Sequence, residues 1–277
     1  MEPDDRYTAI RYEVDERIAL ITFDEPEKLN PMSQAMVAET IDALDRAATD
    51  PEVLVVVVTG AGRAFSAGGD VRTLGPDRTA TDEPASDGPA SGPFERRAWL
   101  RRTQRLILAI RAVEKPVIAA INGVAAGGGC DIALACDIRF MAREARIGEI
   151  FANIGLFPGT GGTWLLPRVV GIEKALELIW TAELIDGTEA HRIGLVGHVV
   201  ARESLMDEVL AFARRLTLGP PLALALAKAA LYRGLDQDLV AALDYACTAE
   251  AITLTSRDHA EGIRALREKR PPSFEGR

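Results

Sequence analysis

The spacing of apolar residues along the chain predicts alternating strands and helices. Residues 17–24 (RIALITFD) alternate and then run apolar, as a strand does, and the aliphatic run at 53–58 (VLVVVV) suits a strand buried on both faces. Between them, residues 33–50 have apolar positions at helical spacing. The predicted buried face of that helix consists of Met36, Thr40, Ile41, Leu44 and Ala48.

The same alternation continues into the middle of the chain. A helical pattern around residues 96–113 is followed by strand patterns at 116–121 (PVIAAI) and 137–142 (DIRFMA), which flank a glycine turn and a short helix. Such alternation predicts the α/β class. From residue 201 onward the periodicity is almost entirely helical. We therefore predict an α/β core over residues 1–200 and a helical C-terminal region over 201–277.

One segment breaks this pattern. Residues 75–93 (GPDRTATDEPASDGPASGP) are rich in Gly, Pro, Ser, Asp and Thr and have no apolar periodicity. This composition predicts a flexible insertion. It is interpreted either as a solvent-exposed loop or, because it follows a glycine-rich turn, as a lid over a site.

Charge and composition narrow the function classes. The formal net charge of −9 argues against a nucleic-acid surface, so a polyanionic ligand must be held by local donors. The first residues lack the basic start and apolar run of a secretory signal, and the longest aliphatic run is too short to span a bilayer. The three cysteines form no C-x-x-C pair and have no histidine at ligand spacing. We expect a cytosolic protein with reduced cysteines and no membrane segment.

Three glycine-rich turns carry the candidate chemistry, at residues 59–71, 122–131 and 153–167. They lack the G-x-G-x-x-G spacing of dinucleotide sites and the Gly-Lys-Ser/Thr of a phosphate loop, and no H-E-x-x-H motif supports a metal. Glycine also allows a ligand to approach backbone N–H groups closely. If a helix begins at the triple glycine, the N–H of Gly128 is unsatisfied at its positive end, and residues 68–70 offer a second donor. Two such amides would form an oxyanion hole.

Several long motifs, in this order, resemble the crotonase superfamily, also called the enoyl-CoA hydratase/isomerase family. They are GAGRAFSAGGDV, KPVIAAINGVAAGGGCDIALACDIR, GLFPGTGGTWLLPRVVG, AHRIGLVGHVV and EGIRALREKRPPSF. The resemblance covers most of the chain. It implies a spiral of repeated strand-strand-helix units, a helical C-terminal region that forms homotrimers or dimers of trimers, and an acyl-CoA thioester as substrate. Coenzyme A is then part of the substrate, and no separate cofactor or metal is expected.

The same resemblance implies the catalytic groups. The two oxyanion donors fall on the backbone N–H groups of Gly69 and Gly128, and the first acid of typical hydratases falls on Asp131. The second acid position falls on Phe151, and an acid that some isomerases use falls on Gly159; neither residue can move a proton. This is where the chain departs from the family pattern.

Glu149 is a candidate substitute for the missing second acid. It lies two residues before Phe151, and in an extended segment an offset of two keeps side chains on the same face. Simpler interpretations are that Glu149 forms a surface ion pair and that Asp131 caps its own helix. Burial among apolar residues would, however, raise the pKa of Asp131, which favours a role in proton transfer.

The resemblance also suggests residues that contact the substrate. Phe151, with Phe157 and Trp164, is expected in the core or along an acyl pocket. The predicted substrate-binding residues are Lys28, Ala64, Phe65, Ala67, Asp70, Arg72, Phe151, Gly159 and Lys269. Lys269 matches a basic residue that reaches coenzyme A from a neighbouring subunit. Each cation is equally well explained as a solvated surface residue.

The predicted reaction is hydration of a 2-trans-enoyl-CoA through an enolate held by the oxyanion hole. Double-bond isomerisation is the alternative, since one carboxylate can serve as base and then as acid. Two other classes stay open. An acyl-CoA hydrolase would use Ser66 as nucleophile, although AFSAG lacks one glycine of G-x-S-x-G. A non-catalytic acyl-CoA-binding protein is favoured by the missing second acid. The pattern leaves acyl chain length open.

Overall fold

The computed structural model of the chain describes residues 6–69 and 92–277. The strands are β1 (Ile10–Asp15), β2 (Ile18–Phe23), β3 (Val55–Gly60), β4 (Ala64–Ser66), β5 (Val117–Ile121), β6 (Val124–Ala126), β7 (Ile138–Ala142), β8 (Arg146–Gly148), β9 (Ile185–Asp186) and β10 (His198–Val200). The helices are α1 (Gln34–Thr49), α2 (Pro93–Ala112), α3 (Gly128–Ala135), α4 (Gly162–Val170), α5 (Ile172–Thr181), α6 (Gly187–Arg192), α7 (Leu205–Thr217), α8 (Pro221–Gly234), α9 (Leu239–Leu254) and α10 (Arg257–Glu268). Short 3₁₀ helices cover Pro26–Lys28, Ile150–Ile154 and Arg202–Ser204.

Within the described residues the strands form two sheets. The larger has the order β1-β2-β3-β5-β7-β10 and is parallel except for the β1–β2 pair. The smaller has the order β4-β6-β8-β9 and is parallel except for the β8–β9 pair. The pairs β3–β4, β5–β6 and β7–β8 each place their first strand in the larger sheet and their second in the smaller, and a helix follows. This arrangement confirms the predicted α/β spiral of strand-strand-helix units.

The centre of the core is β3, as the aliphatic run predicts. Each residue of this strand is buried, and it pairs in parallel register with β2 on one side and β5 on the other. Val57 lies opposite Leu20 and Ile118. A strand with neighbours on both edges and covered faces needs apolar side chains at successive positions, which explains VVVV rather than an alternating sequence.

Helix α1 begins where the sequence predicts. The Ser33 hydroxyl caps it by accepting a hydrogen bond of 3.0 Å from the Met36 N–H. Its buried residues are Met36, Val37, Thr40, Ala43, Leu44 and Ala47. The predicted face was wrong at its C-terminal end, since Ala48 is exposed and Ala47 is fully buried. The face drifts by one position because a straight helix has 3.6 residues per turn.

Helix α3 begins at Gly128, which confirms the predicted helix start at the triple glycine. Gly127 is the N-cap residue and has φ 53° and ψ −118°, a conformation that favours glycine. Its N–H donates to Gly148 O at 2.9 Å and so joins this turn to the end of β8. Because the cap is Gly127, the interpretation of Asp131 as the helix cap was wrong.

The helices after residue 200 differ in how much they bury, and α10 buries Asp258, Glu261 and Ala265. Helix α7 packs on the larger sheet and buries Leu205, Val209 and Ala213. Helices α8 and α9, in contrast, have no buried residue. The division of the chain at residue 200 stays a prediction. In the structure the layer of helices on the sheet continues through α7, and α8 begins the outlying region.

No single helix in the described segments is long and apolar enough to cross a membrane. The two helical segments Arg202–Thr217 and Pro221–Gly234 meet that length and composition only when taken together, across a bend of 107°.

Of the predicted flexible insertion, residues 75–91 lie outside the described residues. Its last residue, Pro93, is the first residue of α2.

Candidate active site

Two glycine turns pack against each other, backbone to backbone. Gly68 has φ 79°, and a Cβ placed there would lie 2.4 Å from Ala126 O and 2.9 Å from Gly128 N. The Gly68 carbonyl accepts a hydrogen bond of 2.9 Å from the Met32 N–H, which fixes the turn from its other side. A side chain at Gly68 would separate the two turns, so glycine is required for this contact.

The predicted oxyanion donors, Gly69 and Gly128, lie on these two turns. Gly128 is the first residue of α3, and a Cβ there would lie 2.3 Å from the Met32 sulfur. Amides of a first helical turn have no partner within the helix. In the described part of the chain, neither N–H donates a hydrogen bond to a protein acceptor. The α3 dipole adds positive potential at Gly128.

Asp131 lies in the first turn of α3 and is fully buried. Its Oδ2 accepts a hydrogen bond from the Thr160 hydroxyl, which is also buried. Among the described residues, Asp131 Oδ1 has no donor. A carboxylate in such surroundings is partly desolvated and incompletely hydrogen-bonded, which makes it a better proton acceptor than a surface aspartate.

Glu149 follows β8 directly and is also fully buried. It forms no ion pair among the described residues, so the interpretation as a surface ion-pairing residue was wrong. A Cβ built on Gly162 would lie 2.6 Å from Glu149 Oε1 and 2.9 Å from Asp131 Oδ1. Neither oxygen of Glu149 has a donor from the rest of the described protein. The two acids therefore share one buried space, which only a glycine at 162 leaves open.

The electrostatics of this pair separate the two acids. Burial raises the pKa of Asp131 to about 6, and the hydrogen bonds from Thr160 and Glu149 partly oppose the rise. Burial and then the negative charge of Asp131 raise the pKa of Glu149 well above its usual value. Two like charges this close do not both ionise readily. The pair therefore retains a proton to higher pH than exposed carboxyl groups do.

Phe151 stands at the sequence position of the family's second acid, and its ring contacts the glycine turn at Gly127. It lies in the 3₁₀ helix Ile150–Ile154, so the prediction of an extended segment from Glu149 to Phe151 was wrong. Its ring is 3.3 Å from where a Cβ of Gly127 would stand, which places it over the glycine turn. Glu149 nevertheless meets Asp131, because β8 pairs with β6, and β6 leads into α3.

The other predicted substrate-binding residues are dispersed. Lys28 is exposed and forms an ion pair of 2.7 Å with Glu25. The Phe65 side chain is in the core, with its ring centroid 5.4 Å from that of Phe23. Lys269 is exposed and ends α10 in a left-handed conformation. Ala64 is buried in β4, Ala67 is half-buried, and Asp70 and Arg72 lie outside the described residues.

A cavity of about 490 Å³ has Thr160, the hydrogen-bond partner of Asp131, in its lining. It is lined by Gln104, Ile107, Leu108, Arg111, Phe157, Pro158, Gly159, Thr160, Gly161, Thr163, Trp164 and Leu165. Phe157 and Trp164 are 73% and 43% exposed, so they line an open surface and do not belong to the core. Thr160 connects this cavity to Asp131. Sequence reasoning missed Thr160; the polar residue within the glycines of PGTGG was the available signal.

Ser66, the nucleophile considered from sequence, has a structural contact. It is fully buried, and its hydroxyl accepts a hydrogen bond of 3.2 Å from the Gly68 N–H. In the described ranges no histidine bonds to it: His191 Nδ1 lies 3.2 Å from Val196 O, and His198 stacks on Phe140. A serine hydrolase needs a base beside its nucleophile, so this arrangement does not favour hydrolysis.

Comparisons with known proteins agree over nearly the whole chain. The sequence model of the family described as enoyl-CoA hydratase/isomerase matches residues 13–277. A crotonyl-CoA hydratase of Syntrophomonas wolfei is 35% identical over 97% of this chain and 98% of its own length. A 1,2-epoxyphenylacetyl-CoA isomerase of Escherichia coli is 34% identical over 95% of this chain and 97% of its own. The crystal structure of an enoyl-CoA hydratase from Bacillus anthracis superposes with a TM-score of 0.89 at 30% identity, covering 98% of this chain and 100% of that one.

Proposed function

Because the chain belongs to the enoyl-CoA hydratase/isomerase family, we propose that it hydrates a 2-trans-enoyl-CoA with Asp131 and Glu149 as its acid pair. The observation that supports this most is the convergence of both buried carboxyl groups at Gly162, close to the glycine turn that begins α3. In this proposal Glu149 supplies the second acid that this chain lacks at Phe151.

In the proposed complex the thioester oxygen accepts hydrogen bonds from the N–H groups of Gly69 and Gly128. Both amides belong to the turns at Gly68 and Gly127. A Cβ at Gly68 would meet the backbone at Ala126 O, and one at Gly127 would meet the ring of Phe151. As negative charge develops on the oxygen, these donors stabilise it, and the α3 dipole contributes in the same direction. Loss of one such donor typically costs about 3 kcal/mol of transition-state stabilisation.

The proposed proton steps begin with Asp131 ionised and Glu149 protonated. Ionised Asp131 accepts a proton from water as the water oxygen bonds to the β-carbon, and an enolate forms. Glu149 then gives its proton to the α-carbon, which returns the electron pair of the enolate to a C–H bond. One proton enters the pair and one leaves it, so the pair still holds a single proton. Its return from Asp131 to Glu149 restores the starting state.

The cavity beside Thr160 is the proposed acyl pocket. Its lining combines the aromatic side chains of Phe157 and Trp164 with apolar residues of α2, and Thr160 links it to Asp131. Gly159 contributes its carbonyl, which accepts a hydrogen bond of 2.8 Å from Gln104 and so holds the segment to α2. Phe151, over the glycine turn, borders the reacting end of the acyl group in this proposal.

The coenzyme A contacts are proposed from the resemblance alone. They are Lys28, Ala64, Ala67, Asp70, Arg72 and, from a neighbouring subunit, Lys269. The core position of the Phe65 side chain leaves only its backbone for such a contact. The proposed chemistry uses carboxyl groups and backbone amides, so it requires no cofactor beyond the substrate. A cytosolic location likewise stays a prediction of the sequence.

We also propose a homo-oligomer, a trimer or a dimer of trimers. Helices α8 and α9 bury no residue within one chain, although they carry large apolar side chains. Leu231, Leu239, Val240 and Leu243 are 73%, 73%, 78% and 59% exposed. An apolar helical surface of this kind marks an interaction site. It agrees with the C-terminal oligomerisation region that the family resemblance implies.

Product analysis with a short-chain 2-trans-enoyl-CoA tests the proposed reaction. Hydration yields a 3-hydroxyacyl-CoA, which mass spectrometry identifies by the added water, whereas hydrolysis releases free coenzyme A. Binding without either product would show a non-catalytic protein. The 3-hydroxyacyl-CoA is the expected product, and its absence over a range of acyl lengths and acyl types would exclude hydration.

Isomerisation is the second candidate, because Phe151 stands where typical hydratases hold a carboxylate. An isomerase needs to move a proton between two carbons without positioning a water, and one ionised and one protonated carboxyl suffice for that. Incubation of a 3-enoyl-CoA in deuterated water distinguishes the two. Formation of the 2-enoyl isomer without net hydration would favour the isomerase.

A further inference from the structure

Thr160 distinguishes the two acids of the pair by hydrogen bonding. Its hydroxyl donates to Asp131 Oδ2, and both side chains are buried, at 8% and 0% exposure. The other three carboxyl oxygens, Asp131 Oδ1 and both of Glu149, have no donor from the described residues outside the pair. A hydroxyl has one proton to donate, and here it is committed to Asp131.

This contact favours charge on one acid only. A hydrogen bond to the ionised form of a carboxyl stabilises that form, and the Thr160 hydroxyl and the Gly162 N–H both favour ionised Asp131. Glu149 receives no comparable backbone or hydroxyl donor. Without the Thr160 hydroxyl, two carboxyl groups in the same buried space would share their proton more evenly.

We propose that Thr160 is a positioning residue that keeps the negative charge of the pair on Asp131 and the proton on Glu149. The consequence for turnover rests on the proposed function, since it matters only where Asp131 accepts a proton and Glu149 donates one. The orientation itself is a property of the folded protein and does not depend on substrate.

Few other titratable groups surround the pair. Cys130 on α3 lies near Glu149, and burial raises the pKa of its thiol well above its usual value. Arg139 on β7 acts on Cys130 rather than on the pair. The segment that carries Thr160 is held to α2 through neutral Gln104. A change confined to the Thr160 hydroxyl therefore leaves the other charges near the pair in place.

The test compares Thr160→Val, which removes the hydroxyl at nearly constant shape, with Thr160→Ser, which keeps it. Thr49→Val is the control, since Thr49 is exposed at the end of α1 and does not line the proposed acyl pocket. In the pH profile of kcat, the Val variant should shift the acidic limb upward by about one pH unit, because a hydrogen bond to the ionised base is lost. Near pH 6 its turnover should fall about fivefold, and the difference should shrink above about pH 8. The Ser and control variants should retain the wild-type profile.

A second readout separates this inference from the proposed function. The carboxyl C=O stretch, followed by infrared difference spectroscopy against pH and assigned with Glu149→Gln, reports the titration of the pair without substrate. A shift in Thr160→Val by about one pH unit, absent in Thr160→Ser, supports the inference even in a protein that turns over no enoyl-CoA. An unshifted titration in Thr160→Val, or an equal shift in Thr160→Ser, overturns it whatever the activity.

Discussion

Asp131 and Glu149 direct their carboxyl groups at one point, the side of the Gly162 α-carbon where a Cβ would stand. That position is 2.6 Å from Glu149 Oε1 and 2.9 Å from Asp131 Oδ1. The acids come from different strand-strand-helix units, Asp131 from the helix after β6 and Glu149 from the end of β8. The pairing of β6 with β8 in the smaller sheet brings them together.

Gly162→Ala should remove most of the activity. The added methyl would overlap both carboxyl groups and force them apart, so we expect at least about a tenfold loss of kcat with little change in substrate binding. Gly197→Ala is the control, since a Cβ there meets no atom within 4 Å. Steady-state kinetics on both variants test this; equal activity in the two would show that the carboxyl separation does not matter for turnover.

The free energy of unfolding should decrease as pH rises, because the folded state raises the pKa of Asp131. The folded-state pKa of about 6 for Asp131 lies above the ordinary value of 3.8, so the folded protein holds more protons than the unfolded chain in this range. By linkage, the free energy of unfolding decreases by about 3 kcal/mol between about pH 4 and pH 6. Asp131→Asn should abolish this part of the decrease and be more stable than wild type at pH 7.5.

Urea denaturation of both proteins at pH 4 and pH 7.5 measures this difference. The Asn variant should gain stability relative to wild type as the pH increases. A parallel pH dependence in the two proteins would mean that Asp131 titrates normally in the folded state.

Phe151→Glu tests what the natural reaction is. A glutamate at this position restores the family's second acid beside the glycine turn. If the placement of water limits hydration, kcat for hydration should rise several-fold. A much larger gain would indicate that the wild-type enzyme serves another reaction, such as isomerisation. Phe151→Leu controls for loss of the ring. A lower rate in the Glu variant than in the Leu variant would show that Glu149 already fulfils this role.

Leu243→Glu should disrupt the oligomer. Leu243 lies on α9, a helix without buried residues, and a charge within an apolar subunit interface is strongly unfavourable. Light scattering after size exclusion should show a smaller species than wild type. Ile172→Glu, at an exposed apolar position that begins α5, should leave the mass unchanged. An unchanged mass in Leu243→Glu would place the interface elsewhere.

The sequence predicted most of the spiral, because the long strands of the larger sheet are buried on both faces and therefore consist of aliphatic residues, as β3 does. Strands of the smaller sheet, such as β8, have three residues or fewer and produce no periodicity. The glycine pattern indicated Gly128, and the family resemblance implied Asp131. Glu149 was argued to share a face with Phe151 in an extended segment, and the structure has a 3₁₀ helix there. Its contact with Asp131 arises instead from strand pairing across the smaller sheet.

Thr160 was not predicted for a related reason. Its sequence neighbours are glycines and apolar residues, and its partner Asp131 lies 29 positions away. A hydrogen bond between two units of a spiral depends on how the units stack, which no local pattern records. Phe157 and Trp164 were expected in the core or along an acyl pocket, and their exposure at an open cavity excludes the core.

The kcat for hydration of a short 2-trans-enoyl-CoA by wild type, Asp131→Asn and Glu149→Gln tests the central claim most directly. Both replacements keep the side-chain size and remove the ability to transfer a proton. We predict that each lowers kcat at least about a hundredfold while KM changes little. Wild-type turnover in either variant would contradict the assignment of that residue to the acid pair.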